Sequence, residues 1–198
     1  MTARITPFDE PTNRFHDLFE RAKKEEASDA TAVGLATATK HGRPSLRIVL
    51  LKDFDARGFV FYTNYQGRKS IEIEENSQAA MTFYWPGMGV QVRIEGSVDR
   101  VSAEESEAYF QSRPIGHRLG AWSSDQSREV DSAEALSDKF AEVEMRFAGK
   151  AVPRPTHWGG YRITPETMEF WFGRENRMHE RELYTRAGNG WTLKRLQP

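Results

Sequence analysis

The chain contains no cysteine among its 198 residues. That removes disulfides, thiolate nucleophiles and cysteine metal sites, and it fits a reducing compartment; cytoplasm is the expected location. Net charge is nearly absent as well, because 28 Lys+Arg stand against 29 Asp+Glu for a formal charge of -1. No global field draws nucleic acid or an anionic membrane, so any basic site has to be local. No run approaches the roughly 20 apolar residues that span a bilayer, and Met1 to Thr12 lacks an apolar signal core. A soluble protein without nucleic-acid or membrane partners is expected. The histidines His16, His41, His117, His157 and His179 are dispersed, and His179-Glu180 is not followed by the second histidine of a zinc-protease motif; no metal site is expected. Neither a Gly-x-Ser-x-Gly elbow nor a Gly-x-Gly-x-x-Gly turn after a strand is present, which sets aside serine hydrolases and dinucleotide-binding enzymes.

What the chain does have is a cation-rich stretch from Arg47 to Lys69. Arg47 to Lys52 is too short and too rich in Ile, Val and Leu for an amphipathic helix. Asp55-Ala-Arg-Gly58 supplies turn chemistry before a second apolar run, Phe59 to Thr63, so the two runs are expected to pair as a hairpin with Arg57 solvated in its turn. Asn64-Tyr-Gln-Gly67 breaks the pattern, and a short helix is expected from Arg68. Two cations in the first turn of a helix suit an anion, most often a phosphate, and also fit a solvated basic turn. Gly67-Arg-Lys-Ser70 lacks the first glycine and the Gly-Lys-Ser order of a nucleotide P-loop.

Elsewhere the sequence reads as a mainly antiparallel α+β fold with flanking helices, in one domain over residues 13–198 behind a flexible arm, residues 1–12. Phe15, Leu18, Phe19 and Ala22 mark a helix over Asn13 to Lys24. Strands are expected over 31–39, 79–85, 90–101, 160–164 and 168–172, with a final hairpin through Gly188-Asn-Gly190. Ser102-Ala-Glu-Glu105 is a capping box opening a helix that ends at Arg113-Pro114. Ile115 to Val130 has no clear period and is expected as an ordered loop. A helix from Ser132 is expected to carry a core stripe of Leu136, Phe140, Val143 and Phe147. Arg and Lys at strand ends and helix starts, with no evident nucleophile beside them, suit a protein that positions a phosphorylated cofactor. Alternation along an extended Arg177-Met-His179 would put a cation and an imidazole on one face, a ligand site or an ordinary strand edge.

Arg47-Ile-Val-Leu-Leu-Lys52, Phe61-Tyr-Thr-Asn64, Arg68-Lys69, Tyr109-Phe-Gln-Ser-Arg-Pro114, Gly120-Ala-Trp122, Gln126-Ser127, Trp158-Gly-Gly160, Glu169-Phe-Trp171 and Arg177-Met-His-Glu-Arg181 together resemble the pyridoxamine 5'-phosphate oxidase family, over about Asn13 to Pro198. The resemblance implies an FMN-binding split β-barrel, Greek-key-like, acting as a homodimer with FMN at the subunit interface. It implies oxidation of pyridoxamine or pyridoxine 5'-phosphate to pyridoxal 5'-phosphate, with O2 giving H2O2. Carried over by position, Arg47, Ile48, Val49, Leu50, Leu51, Lys52, Tyr62, Thr63, Arg68, Lys69, Gln91, Gln126, Ser127, Trp171 and Arg181 bind FMN. Lys52, Tyr109, Arg113 and His117 hold the substrate phosphate, and Arg177 and His179 sit over the pyridine ring as the catalytic pair. The chain departs from the family pattern in carrying His117 where serine is common, Met178 where leucine is usual, and a short N-terminal arm without the tyrosine of longer members. A flavin oxidase of another substrate, such as a phenazine precursor, and a non-catalytic flavin or pyridoxal-phosphate binding protein are the alternatives.

Overall fold

The computed structural model describes residues 10–198; most of the expected arm lies outside them. Helix α1 runs Glu10–Glu25, starting three residues before the expected Asn13, because Glu10 and Pro11 suit a first helical turn. It buries Phe15, Leu18, Phe19 and Ala22. Phe15 sits at the centre of an aromatic cluster, with Phe54, Phe59 and Phe83 about it at centroid distances of 4.9 to 5.0 Å.

Among the described residues nine strands follow: β1 Ala32–Ala38, β2 Pro44–Leu50, β3 Asp53–Asp55, β4 Gly58–Asn64, β5 Gln78–Trp85, β6 Val90–Arg100, β7 Trp158–Phe172, β8 Glu180–Ala187 and β9 Gly190–Leu196. All pairings are antiparallel, in the order β2-β1-β5-β6-β7-β4-β3, with β8 on the far half of β7 and β9 beyond it. The expected hairpin of Arg47–Lys52 with Phe59–Thr63 does not form. β2 pairs with β1, while β4 pairs with β7 and with the three-residue β3, at the other end of the order. Thr39 to Arg43 makes the tight turn that claims β2 first, with Gly42 in the left-handed region at φ 79°. The two runs still meet, because the chain passes from β2 directly into β3, whose ladder with β4 extends to the Lys52 N–H donating to the Val60 carbonyl at 2.9 Å. With the first and last strands of the order consecutive in the chain, the sheet curls into a split barrel filled by Val33, Leu35, Phe61, Met81, Ile94 and Phe170.

β7 is one 15-residue strand rather than two, continuous past Pro165 because a bulge between Glu95 and Gly96 of β6 absorbs the irregularity. A Cβ on Gly96 would collide with the Thr164 carbonyl, so glycine is needed there.

Helices α2 Arg68–Glu75, α3 Ala103–Ser112, α4 Ile115–Ser123 and α5 Ala133–Phe147 flank the barrel. Ser102 caps α3 by accepting from the Glu105 N–H at 3.0 Å. The Glu105 carboxylate turns away to Arg162 and to Arg57, so Arg57, though exposed, is ion-paired with Asp55 and Glu105 rather than simply solvated. The segment expected as a loop from Ile115 contains α4. Gly116 and Gly120 hide its period, yet Leu119 and Ser123, four apart, face a second apolar cluster of Phe110, Leu119, Val152 and Trp158. The α5 stripe is shallower than expected. Phe140, Val143 and Phe147 are half-buried against that small cluster, and Leu136 is exposed. Among the described residues no helix is long and apolar enough to cross a membrane.

Candidate active site

A cavity of about 620 Å³ opens where the curled sheet brings β2 and β4 together under α3 and α4. Strand β2 is an edge with strict alternation: Leu46, Ile48 and Leu50 point outward while Ser45, Arg47 and Val49 are half-buried. It contributes Arg47 through Leu50, and Lys52 follows. β4 contributes Tyr62 and Thr63, α2 contributes Lys69, the α3–α4 corner contributes Tyr109, Arg113 and His117, and Gln126 comes from the next loop. Twelve of the expected site residues therefore line one cavity. Among them are Arg47, Lys52, Lys69 and Arg113, and among the described residues no Asp or Glu lines it.

The electrostatics follow from burial. Lys69 is buried, and its Nζ donates to Thr63 Oγ1 at 3.1 Å and Gln126 Oε1 at 2.7 Å. Burial, with the Arg47 charge added, pushes its ammonium down to about 8. Burial likewise lowers the Arg113 guanidinium, and Arg113 Nη1 is buried without a hydrogen-bond partner among the described residues. Burial first, then the Glu105 charge, pushes the Tyr62 phenol up to about 12, so Tyr62 is neutral in the working range. Tyr62, Tyr109 and Trp158 stack nearly parallel, with Tyr62 and Tyr109 centroids 4.0 Å apart.

Behind the cavity, Glu72 of α2 is only 3% exposed and collects donors from three elements. Thr37 of β1 donates at 2.5 Å, Ser45 and Arg47 of β2 both donate, the latter at 3.2 Å, and Arg68 donates at 2.9 Å. Burial alone would raise this carboxyl; the bonds from Ser45, Thr37, Arg68 and Arg47 outweigh it and hold Glu72 down to about 2.

The remaining expected residues lie elsewhere. The Leu51 side chain is in the hydrophobic core. Arg68 and Ser127 line a separate cavity of about 460 Å³ with Arg43 and Arg128, and the Arg68 N–H donates to Ser127 Oγ at 3.3 Å. Gln91, Trp171 and Arg181 form a row across β6, β7 and β8, in register Gln91↔Trp171↔Arg181. His179 packs its ring 4.5 Å from that of Trp171 and accepts from the Arg174 N–H. Glu169 accepts from Arg181 Nε and Nη2 at 2.9 and 3.0 Å, fixing the guanidinium. Arg177 is not on an extended segment, so strand alternation does not relate it to His179. Residues Glu175–Arg177 form a 3-10 turn with Asn176 and Arg177 at φ 54° and 60°, because the chain must reverse between β7 and β8 and asparagine tolerates the left-handed region.

Four participants carry no role that the sequence assigns. Trp158, Asn64 and Ser124 line the cavity, and Glu72 holds its Arg47 together with Arg68 of the neighbouring cavity. Spacing offered a hint only for Glu72, four residues after Arg68 on one helix face.

A curled antiparallel sheet around a cation-lined cavity defines a split-barrel protein with a site whose charge suits an anion. Residues 19–147 match the family model described as Pyridoxamine 5'-phosphate oxidase, and residues 158–198 match the Pyridoxine 5'-phosphate oxidase C-terminal dimerisation region. The chain belongs to the pyridoxamine 5'-phosphate oxidase family. It is 56% identical over 189 residues to a pyridoxine/pyridoxamine 5'-phosphate oxidase of Rubrobacter xylanophilus, covering 96% of this chain and 87% of that one. Against the Myxococcus xanthus protein of the same name it is 49% identical over 198 residues, covering 100% and 96%. The crystal structure of PhzG from Burkholderia lata in complex with tetrahydrophenazine-1-carboxylic acid superposes with a TM-score of 0.90 at 34% identity, over 95% of this chain and 92% of that one.

Proposed function

We propose that this protein is an FMN-dependent oxidase converting pyridoxamine 5'-phosphate and pyridoxine 5'-phosphate to pyridoxal 5'-phosphate in the cytoplasm. The observation that carries the reading is the cavity's charge: among the described residues, four cations and no carboxylate line about 620 Å³, which suits two phosphate-bearing molecules. The orphaned, buried Arg113 Nη1 fits a phosphate oxygen as its missing acceptor. Relatives about 50% identical carrying this activity's name support the substrate.

Arg47, Lys69, Thr63 and Gln126, with Arg68 and Ser127 at the α2 start, are the residues we assign to FMN and its phosphate. When bound, FMN supplies the acceptor for the two electrons removed at substrate C4', and O2 is the final oxidant, giving H2O2. Lys52, Tyr109, Arg113 and His117 hold the substrate phosphate and so fix the position of C4'. The amine substrate also consumes water and releases ammonia.

We assign the row of Gln91, Trp171 and Arg181, together with Arg177 and His179, to the same site across a homodimer interface. The dimerisation-region match covers β7 to β9. An outward apolar face across β2 and β5 also supports this, with Leu46 73%, Ile48 67% and Tyr84 60% exposed in one protomer. In that arrangement one protomer supplies the phosphate-binding cavity and its partner supplies Arg177 and His179 to orient the pyridine ring.

The likeness to PhzG supports a second reading, oxidation of a phenazine precursor. One experiment separates the two. Purified protein loaded with FMN and given pyridoxamine 5'-phosphate under air should form pyridoxal 5'-phosphate and H2O2 in equal amounts. FMN bound, with neither product formed, would sink the proposal.

A further inference from the structure

Trp158-Gly-Gly160 opens β7 at the cavity, yet the substrate and cofactor assignments above use none of the three residues. Trp158 is 6% exposed and its backbone is pinned, with the N–H donating to Pro155 O at 3.1 Å and the carbonyl accepting from Arg154 at 2.7 Å. Its indole forms part of the stack with Tyr62 and Tyr109, at interplanar angles of 11° and 7°. The Arg113 guanidinium carbon lies 4.6 Å from the Trp158 ring centroid. The two glycines make room for this arrangement. A Cβ on Gly160 would come within 2.7 Å of the Tyr62 ring, and one on Gly159 would collide with the Tyr65 hydroxyl.

Among the described residues Arg113 has no ion-pair partner, although Arg57, Arg154 and Arg162 nearby in sequence or fold all pair with carboxylates. The difference matters for an anion site. A carboxylate would orient a guanidinium but cancel its charge and occupy its donors. An aromatic face orients it through the ring quadrupole and leaves both charge and N–H donors available. Arg113 Nη1, buried and unbonded, is such a free donor.

We propose that Trp158 is the positioning residue of the substrate-phosphate subsite: its indole face, held in the Tyr62–Tyr109 stack, aims Arg113 and thereby sets the preference for phosphorylated over unphosphorylated ligands. This rests on the assignment of Arg113 to the substrate phosphate.

The test is calorimetric titration of the FMN-loaded protein with pyridoxal 5'-phosphate and, separately, with pyridoxal. It is run on the native protein, Trp158→Phe and Trp158→Leu, with FMN content and thermal melting checked for each. The native protein should prefer the phosphorylated ligand. Trp158→Leu should lose roughly tenfold to thirtyfold of that preference, the size of a desolvated cation–π contact, while pyridoxal binding shifts by no more than about twofold. Trp158→Phe, which keeps a weaker aromatic face, should lose about threefold. Equal losses for both ligands, or an unchanged preference, would overturn the proposal. If Trp158→Leu does not fold, Trp158→Phe decides alone, and full retention of preference there overturns it. A native protein that shows no phosphate preference would instead overturn the assignment of Arg113.

Discussion

Replacing Glu72 by glutamine keeps the side chain's size but removes the charge on which Thr37, Ser45, Arg47 and Arg68 converge. Two routes give the cost. Breaking a buried ion pair from one side costs about 3 to 5 kcal/mol, since the remaining charge is left uncompensated, and the low end applies here because Arg47 is 21% and Arg68 58% exposed. Independently, the Glu72 carboxyl is held at about 2 against an ordinary 4.5, and that difference corresponds to roughly 3 kcal/mol by proton linkage. The two routes agree. The folded value is the depressed one, so the stabilisation is fully present above about pH 4.5 and is lost as pH falls toward 2, with about half gone near pH 3. At pH 7, Glu72→Gln should therefore melt about 6 to 12 °C below the native protein, taking about 2 to 4 °C per kcal/mol for a chain of this size. Thermal unfolding of both proteins between pH 7 and pH 3 measures this. The gap in melting temperature should narrow as pH drops below 4.5. Equal melting at pH 7, or a gap that stays constant to pH 3, would refute the reasoning that charge at Glu72 holds Arg47 and Arg68 in place.

Lys69, held at about 8 in the free protein, should, if it pairs with the flavin phosphate as proposed, make FMN affinity constant from about pH 6.5 to 7.5 and weaker above about 8, as its ammonium is lost. In Lys69→Arg, which stays charged, that decline should vanish in flavin-fluorescence titrations. Arg177→Ala and His179→Ala should each lower turnover by about tenfold or more while FMN affinity stays within about threefold; unchanged turnover would remove both from the site. Gly160→Ala drives a methyl into Tyr62 and Val101, each 2.7 Å away, and should cost about 1 to 3 kcal/mol as overpacking, measured by thermal melting.

Much of the fold is legible in the chain because its elements obey local rules. Alternation of β6 put Gln91, Arg93 and Glu95 opposite Val92 and Ile94, and Ser102 and Ser132 cap the helices that follow them. Local rules do not reach the places where non-local pairing decides. Nothing within Arg47 to Thr63 says that its two apolar runs belong to opposite ends of a sheet order, since that depends on β1 and β7 competing for them. Helix α4 was hidden by Gly116 and Gly120, and the shallow α5 stripe by the smallness of the cluster it covers. The cations of the cavity stand out in the sequence through their types and motifs. Glu72, a carboxylate inside a cationic region, and Trp158, an aromatic that carries a cation, do not, because their roles exist only once three or four separate elements converge.

The central claim is that a flavin held by this chain takes electrons from a phosphorylated B6 amine or alcohol. Its most direct measurement is anaerobic. FMN-loaded protein is mixed with pyridoxamine 5'-phosphate, and the visible flavin absorbance is followed while pyridoxal 5'-phosphate is quantified. We expect the flavin to bleach completely, with one equivalent of pyridoxal 5'-phosphate formed per FMN and colour restored on admitting air. Flavin that remains bound and oxidised through excess substrate would contradict the claim.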